Sequence, residues 1–144
     1  MPGPERTTIH ELLEETRRGL VRLTPVEAAA AMAEGALLID TRTNDDRARD
    51  GAVPGAALIS RTTLEWRVDP ASGYQDPRIT GFDQPLIVMC NEGYSSSLAA
   101  ATLQRLGFKR ATDLIGGFRA WRDAGLPVER AAPPAGGADD AAGR

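Results

Sequence analysis

The stretch Pro85-Leu86-Ile87-Val88-Met89-Cys90-Asn91-Glu92-Gly93-Tyr94-Ser95-Ser96 decides the fold and directs attention to the chemistry. Leu86 to Met89 are apolar with no polar alternation, the pattern of a strand buried on both faces of a parallel sheet. At Cys90 the character changes to a short polar loop. From Ser96 the spacing is helical as far as Leu106, and Gly107 stops it. Leu98, Thr102, Leu103 and Leu106 are expected to share the inward face of that helix. In sheets built from such strand–loop–helix units, ligands bind beyond the carboxyl ends of the strands. Cys90 stands at that end.

Further strands and helices alternate on either side. Ala36-Leu37-Leu38-Ile39-Asp40 reads as a second buried strand, and Ala56 to Ile59 and Ala111 to Leu114 as two more. Val21 to Leu23 can form a brief first strand. Thr24-Pro25-Val26-Glu27 opens a helix: Thr24 caps, Pro25 suits the first helical position and Glu27 completes a capping box. Gly35 ends that helix. Residues 41–50 read as a polar connection, and residues 51–55 as a turn. One or two helical turns are expected at 62–67, and a loop at 69–77. Gly116-Gly117 opens a last helix carrying Phe118 and Trp121, closed by Gly125. The expected architecture is a parallel sheet with helices on both faces.

The length of 144 residues suits one domain with short flanks. Residues 1–20 are expected to be an amphipathic helical extension with Ile9, Leu12, Leu13, Thr16 and Leu20 on one side. Residues 21–130 form the expected domain. Residues 131–144 contain no large apolar side chain and are expected to be a disordered Ala/Pro/Gly tail. A net charge of −3 gives no reason to expect nucleic acid or an anionic membrane as partner. No apolar run approaches the roughly 20 residues of a membrane span. The first residues lack the apolar core of a signal peptide, so a cytoplasmic location is the expectation. One cysteine excludes an internal disulfide, and His10 as the single histidine excludes a Cys₂His₂ or Cys₄ metal site within one chain. No metal and no cofactor is called for.

A compact loop between strand and helix can aim several backbone N–H groups at one point, beside the positive end of the helix. A thiol in that cradle is favoured as thiolate, its nucleophilic form. The same donors suit the terminal sulfur of a persulfide. Gly93 allows backbone shapes that a Cβ hinders, while Ser95 and Ser96 offer hydroxyl donors or a helix cap. Attack by a thiolate on the outer sulfur of a donor needs no general base. The blander reading of Cys90 is a small buried hydrophobe.

Residues 22–128 resemble a rhodanese domain. Leu37-Leu38-Ile39-Asp40-Thr41-Arg42 resembles that family's strand ending in Asp-x-Arg, and Gly51-Ala52-Val53-Pro54-Gly55-Ala56 its Gly-His-Ile-Pro-Gly-Ala turn. Cys90-x-x-Gly93-x-Ser95-Ser96 resembles the active loop of single-domain bacterial thiosulfate sulfurtransferases. Gly107-Phe108 and Gly116-Gly117-Phe118-x-x-Trp121 resemble the closing signature. The resemblance implies a five-stranded parallel sheet and a Cys90 persulfide. It implies a loop of amides from Asn91, Glu92, Gly93, Tyr94, Ser95 and Ser96, an Asp40–Arg42 pair near the site, and Trp121 as core packing. It implies a small sulfur donor such as thiosulfate and a thiol or cyanide-like acceptor. With no second cysteine, that acceptor must be external. A protein partner is left open, and the oligomeric state is not read.

The chain departs from the family at Ala52, where histidine is frequent, and at Asn91 and Ser95, where many members carry arginine. Glu92 brings a negative charge into the loop; facing the cradle, it opposes thiolate formation. Arg42, Arg61, Arg67 and Arg119 are candidates for binding an anionic donor. Without a loop arginine the bidentate phosphate clamp of the related phosphatases and arsenate reductases is lost. The competing reading is a non-catalytic binding, regulatory or redox-sensing module of the same fold.

Overall fold

The computed structural model describes residues 6–131. Strands β1 (Leu37–Asp40), β2 (Ala57–Leu58), β3 (Leu86–Met89) and β4 (Ala111–Asp113) form one parallel sheet in the order β2-β1-β3-β4. The expected fifth strand, at 21–23, reduces to a single parallel bridge from Leu23 to Leu114. Leu23 donates its N–H to the Asp113 carbonyl at 3.1 Å and accepts from Ile115 at 2.8 Å. The fifth row is one residue wide because Thr24 turns the chain at once into the next helix.

The helices are α1 (Ile9–Arg18), α2 (Pro25–Ala33), α3 (Asn44–Asp50), α4 (Leu64–Val68), α5 (Ser95–Arg105) and α6 (Gly117–Asp123), with a 3₁₀ turn at Pro70–Ser72. Side chains alternate across the central strand. Leu86 and Val88 enter a cluster with Ile39, Leu64, Val68, Leu103 and Phe108. Ile87 and Met89 enter a second cluster with Leu38, Val53, Leu114, Phe118 and Trp121. Both faces of β3 are therefore core, as its unbroken apolar run demands, and each large side chain contributes about 1.5–3 kcal/mol by leaving water.

Two details differ from the sequence reading, and a third is one that the sequence leaves open. Part of the polar connection at 41–50 is helix α3, nucleated by a capping box in which the Thr43 hydroxyl accepts the Asp46 N–H and Asp46 answers at the Thr43 N–H. Its inward residue is Arg47 rather than an apolar one, so no hydrophobic period announces it. Helix α5 buries Ser96, Ser97, Ala99, Ala100 and Leu103, while Leu98, Thr102 and Leu106 are only half-buried. Small residues face inward because that helix lies close on the sheet. Thirdly, α1 packs against α5, with Leu13 buried and Leu20 in the first core cluster. The tail beyond Ala131 lies outside the described residues.

Candidate active site at the carboxyl end of β3

The register sets two carboxylates beside Cys90: Asp40 pairs with Met89 across β1–β3, and Asp113 with Val88 across β3–β4. Both are fully buried and each is answered by arginine. Arg42 binds Asp40 through Nε at 3.2 Å and Nη2 at 3.0 Å, and Arg47 lies 3.6 Å from the same carboxylate. Arg22 grips Asp113 through Nε at 2.8 Å and Nη2 at 3.1 Å. The Ser96 and Ser97 hydroxyls also donate to Asp113, each at 2.7 Å.

The loop itself is held from below by main chain. The N–H groups of Phe118 and Arg119 donate to the carbonyls of Cys90 and Asn91 at 2.9 and 3.1 Å. This approach is possible only because side chains are missing. A Cβ on Gly93, whose φ is +87°, would lie 2.6 Å from the Gly116 nitrogen. One on Gly117 would lie 2.5 Å from the Cys90 carbonyl oxygen. The glycine pair before α6 is thus the bed on which the Cys90 loop rests.

Cys90 is 8% exposed, and its Sγ accepts the Gly93 N–H at 3.1 Å. Burial pushes the thiol up. The Ser96 and Ser95 hydroxyls and the N–H groups of Ser96 and Gly93 push it down, and the net position is below that of an ordinary thiol. The Ser96 hydroxyl has one proton, however, and at 2.7 Å the Asp113 carboxylate takes it. The Ser95 hydroxyl and the two N–H groups therefore carry the stabilisation. Among the described residues no acceptor takes the backbone N–H of Asn91, Glu92, Tyr94 or Ser95. Those donors remain for an anion.

The other sequence candidates fall in different places. Arg42 is buried; beyond Asp40 it bonds the Gly51 carbonyl at 2.8 Å and stacks 3.8 Å over the Phe118 ring. Its contacts lie on Phe118 and the 51–55 turn, not on Cys90. Glu92 is exposed and lies 3.8 Å from the exposed Arg119. Arg61 pairs with Glu65, and Arg67 with Asp76 and the Tyr74 carbonyl. Asn91 is half-buried, and its Oδ1 has no partner among the described residues. Tyr94 is largely exposed. Sequence reading missed Asp113, Arg22 and Ser97. The signal was present at Asp113, which ends its strand in the apolar setting Ala111-Thr112-Asp113-Leu114 as Asp40 ends β1.

Around the sulfur, then, two carboxylates stand against a larger number of guanidinium groups, and free N–H donors line the loop. That arrangement favours a sulfur anion. Among proteins of known type, the chain matches the model of the rhodanese-like domain over residues 24–124. It is 32% identical over 107 residues to the thiosulfate sulfurtransferase GlpE of Haemophilus influenzae, covering 74% of this chain and 92% of the relative. A Rhodopseudomonas palustris protein of unknown function, described as a possible tyrosine phosphatase (RPA3614), is 36% identical with a TM-score of 0.79. That match covers 90% of this chain and 99% of the other. The polysulfide-sulfur transferase of Wolinella succinogenes, a homodimer, is 27% identical with a TM-score of 0.66, covering 82% and 84%. The relatives support a sulfurtransferase role. By the extent of the family match, by its sheet and by the motifs that build the Cys90 loop, the chain belongs to the rhodanese-like domain family.

Proposed function

We propose that the protein takes the outer sulfur of a thiosulfate-type donor onto Cys90 and delivers it to an external thiol or cyanide-like acceptor. The observation that carries this reading is Cys90 Sγ, held by the Gly93 N–H inside a loop whose Asn91, Glu92, Tyr94 and Ser95 N–H groups have no acceptor among the described residues. The Cys90 thiolate attacks the sulfane sulfur. A new S–S bond forms, the donor S–S bond breaks, and its electron pair leaves with sulfite. The persulfide keeps one negative charge, which the loop donors and the N-terminal end of α5 stabilise. An acceptor thiolate then attacks the outer sulfur and Cys90 departs as thiolate. No proton transfer is required in either step, which suits a loop from Cys90 to Ser96 that contains no histidine. Asn91 to Ser96 serve as the anion cradle. Arg42 holds Asp40 and shapes the floor through Phe118.

The test is intact-mass measurement after incubation with thiosulfate, with Cys90→Ser alongside. The expected result is a gain of one sulfur, removed by cyanide or a thiol and absent from the variant. No mass change with thiosulfate or polysulfide would overturn the proposal and leave a binding or redox-sensing module. Phosphate-monoester hydrolysis is expected to be absent, because the loop from Asn91 to Ser96 contains no guanidinium to clamp a phosphoryl group.

A further inference from the structure

Helix α1 precedes the matched domain, yet it reaches the Cys90 loop. Arg17 Nη2 donates to the Gly93 carbonyl at 2.7 Å, and its Nε donates to the Ser97 hydroxyl at 3.0 Å. Its guanidinium also lies 5.7 Å from the centre of the Tyr94 ring. Arg22 Nη2 donates to the same Gly93 carbonyl at 3.1 Å while the group holds Asp113. Ser97 closes the circuit by donating to Asp113 at 2.7 Å. Two cations thus bond a single peptide oxygen, and one carboxylate holds Arg22 directly and Arg17 through Ser97.

The consequence follows from peptide geometry. In a trans peptide the carbonyl and the next N–H point in opposite directions. With the Gly93 carbonyl fixed on two guanidinium groups, the Tyr94 N–H is turned away from them. It has no acceptor among the described residues. Polarising the carbonyl also strengthens that N–H as a donor. The N–H on the other side of Gly93 is already on Cys90 Sγ. Arg17 is presented by a docked helix, not a loose tail. Leu13 anchors α1, and its Thr8–Glu11 capping box fixes its start.

We infer that Arg17 and Arg22 are positioning residues, which lock the Gly93–Tyr94 peptide so that its N–H is offered to the sulfur anion at Cys90. Helix α1 is on this account part of the active site. The inference rests on the proposed function where it concerns persulfide, but for the thiolate it stands alone.

The test reads the rate of Cys90 alkylation by iodoacetamide against pH in the full chain. The charged groups around the loop are Arg17, Arg22 and Asp113, the exposed Glu92–Arg119 pair, and the Asp40–Arg42–Arg47 cluster. His10, Glu14 and Arg18 border the groove between α1 and Tyr94. Arg17→Gln is expected to raise the midpoint by about 0.5–1 pH unit, a roughly 3- to 10-fold loss of thiolate at neutral pH. Arg17→Lys restores part of the shift, because an ammonium can bond the Gly93 carbonyl without spanning to Ser97. Arg18→Gln removes the same charge from the same turn and leaves the midpoint unchanged. Circular dichroism reports whether each variant is folded; if Arg17→Gln does not fold, Arg17→Lys decides by an upward shift or its absence. An unmoved midpoint in folded Arg17 variants overturns the inference, as does an equal shift in Arg18→Gln. Should the wild type take no sulfur from thiosulfate, the proposed function falls, and the alkylation profile still decides the role of Arg17.

Discussion

At the scale of single residues, the site turns on which charges Cys90 feels. Its thiol lies below the ordinary range, so its reactivity rises with pH through a midpoint lower than the free thiol's, near pH 8.5. Glu92 is two residues away in sequence, but its carboxylate is exposed and turned to Arg119. Solvent screens such a charge strongly. Glu92→Gln is therefore expected to move the alkylation midpoint by less than about 0.2 unit and the rate of sulfur uptake by less than about twofold. A several-fold acceleration would mean that the carboxylate faces the cradle after all. The position of Cys90 was legible in the sequence, because an apolar run followed by a glycine- and serine-containing loop has few readings. The direction of Glu92 was not, since it depends on the positive φ of Gly93 and on what α6 presents beneath.

At the scale of elements, the decisive contact is the N-terminus of α6 under the Cys90 loop. Gly117 has φ +62°, and a Cβ there would meet the Cys90 and Asn91 backbone. Gly117→Ala adds about 1–3 kcal/mol of backbone strain alone. It is expected to lower Tm by roughly 3–10 °C and to slow Cys90 alkylation, since relief of the clash displaces the loop. A variant with wild-type alkylation would show that the loop keeps its shape without this bed. The sequence announced the helix after Gly116-Gly117 but not its contact, which is long-range. It likewise hid α3, whose inward residue is Arg47, and misjudged the buried face of α5, where close packing on the sheet selects alanine and serine over leucine.

At the scale of the whole molecule, electrostatics sets the pH range of the fold. Asp76 is held below its ordinary value of 3.8 first by hydrogen bonds from the Arg78 side chain, and Asp46 below 3.8 first by those from Arg49. Glu11 and Glu27 lie below 4.5 through the backbone N–H groups of Thr8 and Thr24. A carboxylate lowered on folding contributes stability above its unfolded value and loses it as pH falls through the folded one. Tm is therefore expected to be level near neutrality and to fall once the pH drops below about 4.5. Asp76→Asn, which removes one of these contributions, should flatten that fall. A Tm unchanged down to about pH 3 would contradict the account. The layout of the sheet was readable from four apolar runs. The polar network around Gly93 was not, because its members, Arg17, Arg22, Ser97 and Asp113, are scattered along the chain and meet only after the strands pair.

The grip of α6 on the Cys90 loop has one more consequence. It joins main chain to main chain, so at 119 it asks only for an N–H, which every residue but proline supplies, while Phe118 is also held by the core. What it imposes is a prohibition, since nothing larger than hydrogen fits at 93 and 117. A protein engineer could vary the exposed pair Glu92 and Arg119 widely, provided that positions 93 and 117 stay empty.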